Sequence, residues 1–313
     1  MNLFWRIRDG ALPASVLLLL SLVLILVPLS AVAWFERAEV GARALALGNN
    51  FVSIADDATA VYWNPAGLSR LQRHQIYLGS EYSADIEGVQ RGFVSATLQS
   101  RMVSVGVGWS RTSLEDAMNE DFVYVSASRT LVQRSLGAFI SLGATMKIAH
   151  IGLQTAGFQV QGLRDSDTNL TADLGLLAAP IPNVRLGVIV RNIGRPQFDL
   201  IAGGQRTSLE NETEWGMTFL WRPDAQLNFS RVRHPGRDPE TRLGVELGLV
   251  QDVTLQMGVM RNQITGGIGA AWSRWRLQVG VSAHRELGLT TRMGLHLDVG
   301  EERERAGGGF DDF

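Results

Sequence analysis

The side chains that could perform chemistry are scattered along this 313-residue chain. The chain contains no cysteine, which excludes a cysteine nucleophile, thiolate metal ligands and disulfide bonds. The histidines have no H-E-x-x-H or H-x-H spacing, so no pair of them is placed on one face to bind a metal ion. The five residues are His74, His150, His234, His284 and His296. We therefore predict no bound metal and no cofactor.

Hydrolytic chemistry has equally little support in the sequence. Serine, histidine and aspartate all occur, but no nucleophile-elbow sequence presents a serine. Asp56 and Asp57 could bind a cation, although an aspartate ahead of a short helix more simply caps that helix. The glycine-rich stretch 266–269 lacks the Lys-Ser/Thr pair of a phosphate-binding loop. We predict that the protein is not an enzyme.

The amino-acid composition excludes further classes of protein function and fold. The formal net charge is −2 and charged residues make up 19% of the chain, which argues against binding to nucleic acid through a basic surface. A mean hydropathy of +0.05 is too polar for a bundle of many membrane helices. The length allows two domains, but it also fits one large β-barrel.

The N-terminus has the parts of a secretory signal. Two arginines precede an uncharged run from 11 to 33, and Ala31 and Ala33 form a small-residue cleavage site. We predict that residues 1–33 are removed on export, so that the mature chain begins at Trp34. An uncleaved membrane anchor is the alternative, because the uncharged run is just long enough to span a bilayer.

From about residue 71 to 300, apolar residues recur with a period of two. Val103, Val105 and Val107, for example, alternate with Ser104 and Gly106. This period predicts β-strands with one apolar face and one polar or small face. Fourteen strands are predicted, near 72–82, 90–99, 101–111, 120–130, 135–150, 168–178, 183–193, 213–222, 224–233, 240–249, 252–261, 263–272, 273–283 and 289–299.

Such alternation fits either a soluble β-sandwich or an outer-membrane barrel whose apolar face meets lipid. The export signal favours the barrel, and so does a strand length of about ten residues, which spans roughly 23 Å when tilted by ~45°. Short connections after even-numbered strands and mostly longer ones after odd-numbered strands also match barrels. Aromatic residues lie near strand ends, as in interfacial girdles, at Tyr77, Tyr82, Trp109, Trp215, Trp221 and Trp275.

We therefore predict an all-β protein, an antiparallel transmembrane β-barrel of about 14 strands in the bacterial outer membrane. Its expected partners are outer-membrane lipid, including lipopolysaccharide, and the machinery that assembles barrels. Charges inside a barrel must be solvated or paired. Arg185, Arg191 and Arg292 on predicted inner faces are expected to pair with Glu246, Asp298 or the segment that precedes the first strand.

Residues 34–70 do not alternate and precede the barrel wall. A short helix is predicted near 44–47, a second after Asp57, and Asn64 should be extended because it precedes Pro65. Such a segment most simply folds into the lumen as a plug. Its apolar side chains are candidates for a ligand pocket, namely Phe51, Val52, Ile54 and Leu68.

The stretch 41–68 resembles the N-terminal hatch of the FadL superfamily of outer-membrane proteins, and most closely its PorV/PorQ branch. The resemblance rests on an Asn-Pro-Ala motif within its flanking sequence, and on a weaker similarity of the last hairpins, at 267–292. The motif residues are Asn64, Pro65, Ala66 and Gly67. The resemblance implies a fourteen-stranded barrel closed by a hatch. It also implies passage of fatty acids or aromatic hydrocarbons or, in PorV-like members, a role in type IX protein secretion.

The functional prediction is uptake of hydrophobic small molecules, or an accessory role toward the cargo of a secretion system. The alternative is an outer-membrane protein that docks cargo or has a structural role without transport. The predicted organisation is a signal peptide at 1–33, a hatch at 34–70, a barrel at 71–300 and a flexible charged tail at 301–313.

Overall fold

We analysed a computed structural model of the chain. The signal at 1–33, with Ala31 and Ala33, and the tail at 301–313 lie outside the residues that it describes. The described residues are 39–83, 88–115, 117–134, 137–153, 164–200, 206–261, 263–284 and 288–300. No helix among them is long and apolar enough to cross a membrane.

Fourteen antiparallel strands form a closed barrel. Consecutive wall strands pair with each other, and β1 pairs with β16 to close the wall. The wall strands are β1 (His74–Ser83), β2 (Val89–Leu98), β3 (Ser104–Leu114), β4 (Met118–Gln133), β5 (Phe139–Leu153), β6 (Ser166–Ile181), β7 (Val184–Ile193), β10 (Glu212–Arg222), β11 (Ala225–Arg233), β12 (Glu240–Val250), β13 (Val253–Met260), β14 (Gln263–Trp272), β15 (Trp275–His284) and β16 (Gly288–Val299). The prediction of an all-β, antiparallel barrel of 14 strands is confirmed.

Two further short strands lie outside the barrel wall. β8 (Gln197–Phe198) and β9 (Thr207–Ser208) form a two-residue ladder within the connection between β7 and β10. Two residues are too few to produce a recognisable period, so the sequence does not predict this ladder.

The wall turns its apolar face outward, as predicted. Val105 is 41% exposed and Val107 54% exposed, whereas Ser104 between β2 and β4 is 1% exposed. One predicted member of the outer aromatic girdles is wrong, because Tyr77 is only 1% exposed. Its neighbours Ile76 and Leu78 take the outward positions, so the pleat turns Tyr77 into the barrel. The other five aromatic residues of the girdles are exposed.

Residues 39–71, here called the lumenal segment, lie inside the barrel. The segment contains helices α1 (Ala42–Ala46) and α2 (Ala60–Trp63) and a 3₁₀ helix, Pro65–Arg70. It contacts inward-facing wall positions on opposite sides, such as Gly143 on β5 and Gly267 on β14. Most of its apolar side chains form one buried cluster that extends to wall residues facing the lumen. Both predicted short helices are therefore present.

Candidate functional site in the barrel lumen

Asn64 joins the lumenal segment to itself and to the wall. Its backbone is extended, at φ −162° and ψ 104°, and it ends α2 as predicted. Its side-chain amide donates to the carbonyl of Val52 at 2.8 Å and to that of Leu176 on β6 at 3.1 Å. Its Oδ1 accepts from the Ala66 amide at 3.1 Å. One buried side chain thus forms hydrogen bonds with three backbone groups, two in the lumenal segment and one in the wall.

The residues that follow Asn64 allow the chain to turn within a crowded space. Pro65 occupies the first position of the 3₁₀ helix, where its missing N–H costs nothing. Gly67 is packed so closely that a β-carbon there would lie 2.0 Å from the carbonyl oxygen of Ala55. The motif Asn64, Pro65, Ala66 and Gly67 therefore forms the compact turn between α2 and the wall.

The four predicted ligand-pocket residues are fully buried. Phe51, Val52, Ile54 and Leu68 have no exposed surface. Phe51, Ile54 and Leu68 belong to the apolar cluster of the lumenal segment, where the Phe51 ring lies 6.1 Å from that of Trp63. In this closed arrangement the four side chains fill the lumen, and they would line a cavity only after the lumenal segment moved.

Arg43 on α1 connects the lumenal segment to a second side of the wall. Its guanidinium lies 2.6 Å from Glu246 on β12 and 2.5 Å from Asp56. Burial would raise the pKa of the Asp56 carboxyl, but Arg43 and then Arg185 outweigh that effect and lower it to about 2. Arg185 on β7 is 3.6 Å from the same carboxylate. Asp56 is therefore ionised and links Arg43 of the lumenal segment to Arg185 of the wall.

Asp57 has a local role. Its carboxylate accepts hydrogen bonds from the backbone amide and the hydroxyl of Thr59, at 2.8 and 2.5 Å. This turn directly precedes α2, which begins at Ala60 with Thr59 as the capping residue. Asp57 thus shapes the entry to the helix from two residues before the capping residue, Thr59, and is not itself the cap that we predicted.

The three inner arginines contact the lumenal segment, as one of our alternatives predicted. Arg191 donates to the Trp63 carbonyl at 2.8 Å, and Arg292 donates to the Asn49 side chain at 3.1 Å. Arg185 makes the contact with Asp56 described above.

The wall carboxylates that pair with these arginines differ from those predicted. Arg191 pairs with Glu212 at 2.6 Å and with Glu214 at 2.9 Å, and Arg292 pairs with Glu81. Glu246 pairs with Arg43 instead, and Asp298 accepts a hydrogen bond from Gln75. Both of these residues are on the inner face. Glu246 on β12 lies several strands around the wall from all three arginines, whereas Asp298 lies on the same strand as Arg292 but six residues further along it.

Four cross-strand pairs of glycines, here called the glycine belt, face the lumenal segment. A β-carbon on Gly187 would lie 2.2 Å from the Val52 carbonyl oxygen, and one on Gly280 would lie 2.2 Å from that of Ala42. Real β-carbons essentially never come closer than 3.0 Å, so the two backbones touch only because glycine has no side chain. The pairs are Gly143 with Gly175, Gly187 with Gly216, Gly244 with Gly258, and Gly267 with Gly280.

A cavity of about 500 Å³ opens at the end of the barrel that carries the short turns. Asp224, Thr254 and Arg276 are among its polar lining residues. Within the described part of the chain, no cluster of three or more His, Cys, Asp or Glu side chains is placed to hold a metal ion. The lumen therefore contains ion pairs, hydrogen bonds and apolar packing between the lumenal segment and the wall.

Solved structures share this fold, although the sequence matches no protein-family profile and no curated protein. The CymD monoaromatic hydrocarbon channel superposes with a TM-score of 0.65 at 13% identity, over 86% of this chain and 100% of that one. A FadL homologue from Pseudomonas aeruginosa has a TM-score of 0.61 at 10% identity, over 85% and 100%. The toluene transporter TodX of Pseudomonas putida has a TM-score of 0.57 at 13% identity, over 84% and 97%. This chain therefore has the barrel fold of the FadL-family hydrocarbon channels.

Proposed function

We propose that this protein is an outer-membrane channel for hydrophobic small molecules, in which the lumenal segment is a hatch. The observation that carries the proposal is a closed barrel with an apolar outer face and a lumen filled by a segment of the chain. That segment is attached to the wall by side-chain contacts such as those of Asn64 and Arg43. Solved channels with the same fold are described as hydrocarbon channels and a toluene transporter, which supports the substrate class.

The proposed substrate class also agrees with the chemistry of the filled lumen. The hatch carries four apolar side chains, those of Phe51, Val52, Ile54 and Leu68. Apolar surface is more stable in contact with another apolar group than in contact with water. When the hatch moves, the same side chains become available to an apolar solute. Neither a metal nor a cofactor is part of this proposal.

A reversible cross-link between hatch and wall tests the proposal. The hydroxyls of Ser53 on the hatch and Thr218 on β10 are 2.8 Å apart, so the double variant Ser53→Cys/Thr218→Cys places two sulfurs within bonding reach. The chain has no other cysteine to compete. We expect oxidation to block uptake of a radiolabelled monoaromatic hydrocarbon into proteoliposomes, and dithiothreitol to restore it.

The matched control joins two wall strands instead. Ser126 on β4 and Thr145 on β5 are also 2.8 Å apart, so Ser126→Cys/Thr145→Cys adds a disulfide that does not hold the hatch. Oxidation of this control should leave uptake unchanged. Equal uptake by the oxidised and reduced forms of the hatch-linked protein would show that the hatch does not have to move.

The alternative is a non-transporting protein that docks cargo, as the PorV/PorQ resemblance implies for type IX secretion. The filled lumen is the observation that favours it, because all four pocket candidates are fully buried. In that case even the reduced hatch-linked protein would carry no hydrocarbon above the level of empty liposomes.

Export is part of the proposal and has its own test. Ala31 and Ala33 suit a signal-peptide cleavage site, which places the mature N-terminus at Trp34. Outer-membrane fractions should therefore yield Trp34 on N-terminal sequencing. Recovery of Met1 or residues near it would instead show an uncleaved anchor.

A further inference from the structure

Strand β11 carries a row of polar side chains on its inner face. Gln226, Asn228 and Ser230 occupy alternate positions, and all three are buried. Among the described residues, neither amide atom of Asn228 has a hydrogen-bond partner, and the hydroxyl of Ser230 has none. Leaving a buried polar group without a hydrogen bond is unfavourable, so such groups in native proteins commonly bind buried water.

The strand register places this row against the lumenal segment. Asn228 lies between Thr218 on β10, whose hydroxyl contacts Ser53, and Gly244 on β12, which faces the Leu47 carbonyl. The unpaired amide of Asn228 is therefore at the boundary between the segment and the wall, on the strand between the two that make these contacts.

Asn50 of the lumenal segment continues the row. Its amide donates to the carbonyl of Arg242 at 3.3 Å, and Arg242 is the register partner of Ser230. The side-chain oxygen of Asn50 is buried and has no hydrogen-bond partner in the described part of the protein. Segment and wall thus present unpaired polar atoms to the same space.

At the end with short turns, the row reaches the large cavity. Gln226 donates to Glu246 at 3.0 Å, and Gln256 donates to Glu246 at 3.1 Å and to the Thr254 hydroxyl at 2.7 Å. Thr254 lines the cavity of about 500 Å³. Hydrogen-bonding groups therefore extend from Asn228 to this opening.

At the end with long connections, the row leads to the surface. Arg242 beside Ser230 is 2.8 Å from Glu240, and Glu240 is 2.7 Å from Arg261. The Arg261 side chain is 38% exposed. Polar groups consequently follow one another from one side of the lumenal segment to the other along β11.

We propose that this row, here called the β11 path, is a water-filled passage that carries water and small inorganic ions through the closed barrel. The glycine belt brings the segment's backbone against the flanking strands, whereas β11 has bulky polar side chains and unpaired atoms at the same level. The belt's close backbone contacts leave no polar group to bind water, whereas the unpaired polar atoms along β11 can bind it. The path is independent of any hydrocarbon route and of the substrate proposed above.

Silver ions test the path, because Ag⁺ is about the size of K⁺ and binds thiolates. The chain has no native cysteine, so Asn228→Cys and Ser230→Cys each introduce a single thiol. We expect the purified full-length protein to show a small steady conductance in KNO₃ across planar bilayers. Added AgNO₃ should abolish it in both variants and leave the wild type unaffected.

The matched control is Ser126→Cys, which replaces an equally buried inner hydroxyl that already bonds to Thr145. Its conductance should resist Ag⁺. Block of this control to the same extent as Asn228→Cys, or Ag⁺-resistant conductance in both β11 variants, would overturn the proposal. So would a wild-type conductance no larger than that of the bare bilayer.

Side-chain size provides a second measurement. Asn228→Leu should lose the steady conductance, since an apolar side chain of similar size occupies the same space but cannot bind water. Asn228→Ser should retain the conductance, because its hydroxyl can still bind water. Heat-modifiable migration in gels reports whether each barrel has assembled. Equal conductance in assembled Asn228→Leu and wild type would contradict the proposal, and if Asn228→Leu does not assemble, the Ag⁺ comparison decides.

Discussion

Asn64 donates a hydrogen bond from its side chain to the backbone carbonyl of Leu176, 3.1 Å away on wall strand β6. The same amide group holds Val52 within the lumenal segment. One side chain thus contributes both to the internal shape of the segment and to its attachment to the wall, while the wall strands stay paired with each other.

We predict that Asn64→Ala lowers the free energy that holds the lumenal segment in place by about 1–3 kcal/mol. The barrel should still assemble, because the wall strands form their backbone hydrogen bonds with one another. Trypsin should then cut after Arg43, which is shielded in the wild type, and planar bilayers should show new or larger single-channel openings. Asn169→Ala is the control, since that amide donates to the Gln197 carbonyl at an exposed position. Wild-type trypsin resistance and conductance in Asn64→Ala would contradict the prediction.

Gly187→Ala should prevent the segment from seating, because the new β-carbon would meet the Val52 carbonyl at 2.2 Å. We expect an assembled barrel with a larger conductance and rapid cleavage of the segment by trypsin. Gly266→Ala is a matched control on β14, where the nearest atom to an added β-carbon is 3.6 Å away. Equal behaviour of the two variants would show that the glycine belt is not needed for close packing.

The strands and their faces could be predicted from the sequence, because a period of two is a local property. Val105 and Ser104 show this, since their alternation alone assigned one to the outer face and the other to the lumen. The role of Asn64 was also predictable, because a residue before proline is forced to be extended and its amide then needs partners. Tyr77 shows the limit, since an aromatic residue near a strand end was taken to face lipid although its parity placed it inside.

The partners of the lumenal residues could not be predicted, because they depend on register and on how far each strand lies around the barrel. Arg191 pairs with Glu212 and Glu214 across the junction of β7 and β10, which is closed by a long connection. The glycine belt also appears only when strands are aligned. Gly187 and Gly216 are 29 positions apart in sequence and directly opposite each other in the sheet.

The link between Arg43 and Asp56 predicts sensitivity to strong acid. The pKa of Asp56 is lowered from its ordinary value of 3.8 to about 2. Its ion pairs therefore stabilise the seated segment fully at pH values above 3.8, and this stabilisation is lost as the pH falls through about 2. We expect conductance to be unchanged from neutral pH to about 4 and to rise below it. Asp56→Asn should raise conductance already at neutral pH, and Asp199→Asn, which removes a pairing with Arg164 outside the lumen, should not.

The outward face of β3 predicts how the barrel responds to a charge in lipid. Val105 is 41% exposed on that face, opposite Leu98 on β2 and Ala127 on β4. A lipid-facing arginine costs ~2–4 kcal/mol near the bilayer midplane and ~0–1 kcal/mol near an interface. Val105→Arg should therefore reduce the yield of folded protein when urea-unfolded chains are diluted into lipid vesicles.

Tyr82→Arg is the control, because Tyr82 is also exposed but is the last outward-facing residue of β1 and belongs to the proposed aromatic girdle, whereas Val105 lies between the outward-facing Val103 and Val107. A guanidinium at that depth can extend into the headgroup region, so its folding yield should stay close to that of the wild type. Both yields are measured by heat-modifiable migration in gels, at the same protein and lipid concentrations. If Val105→Arg folds as well as Tyr82→Arg, the outer face of β3 does not contact lipid. The chain would then be a water-soluble barrel and not a membrane barrel.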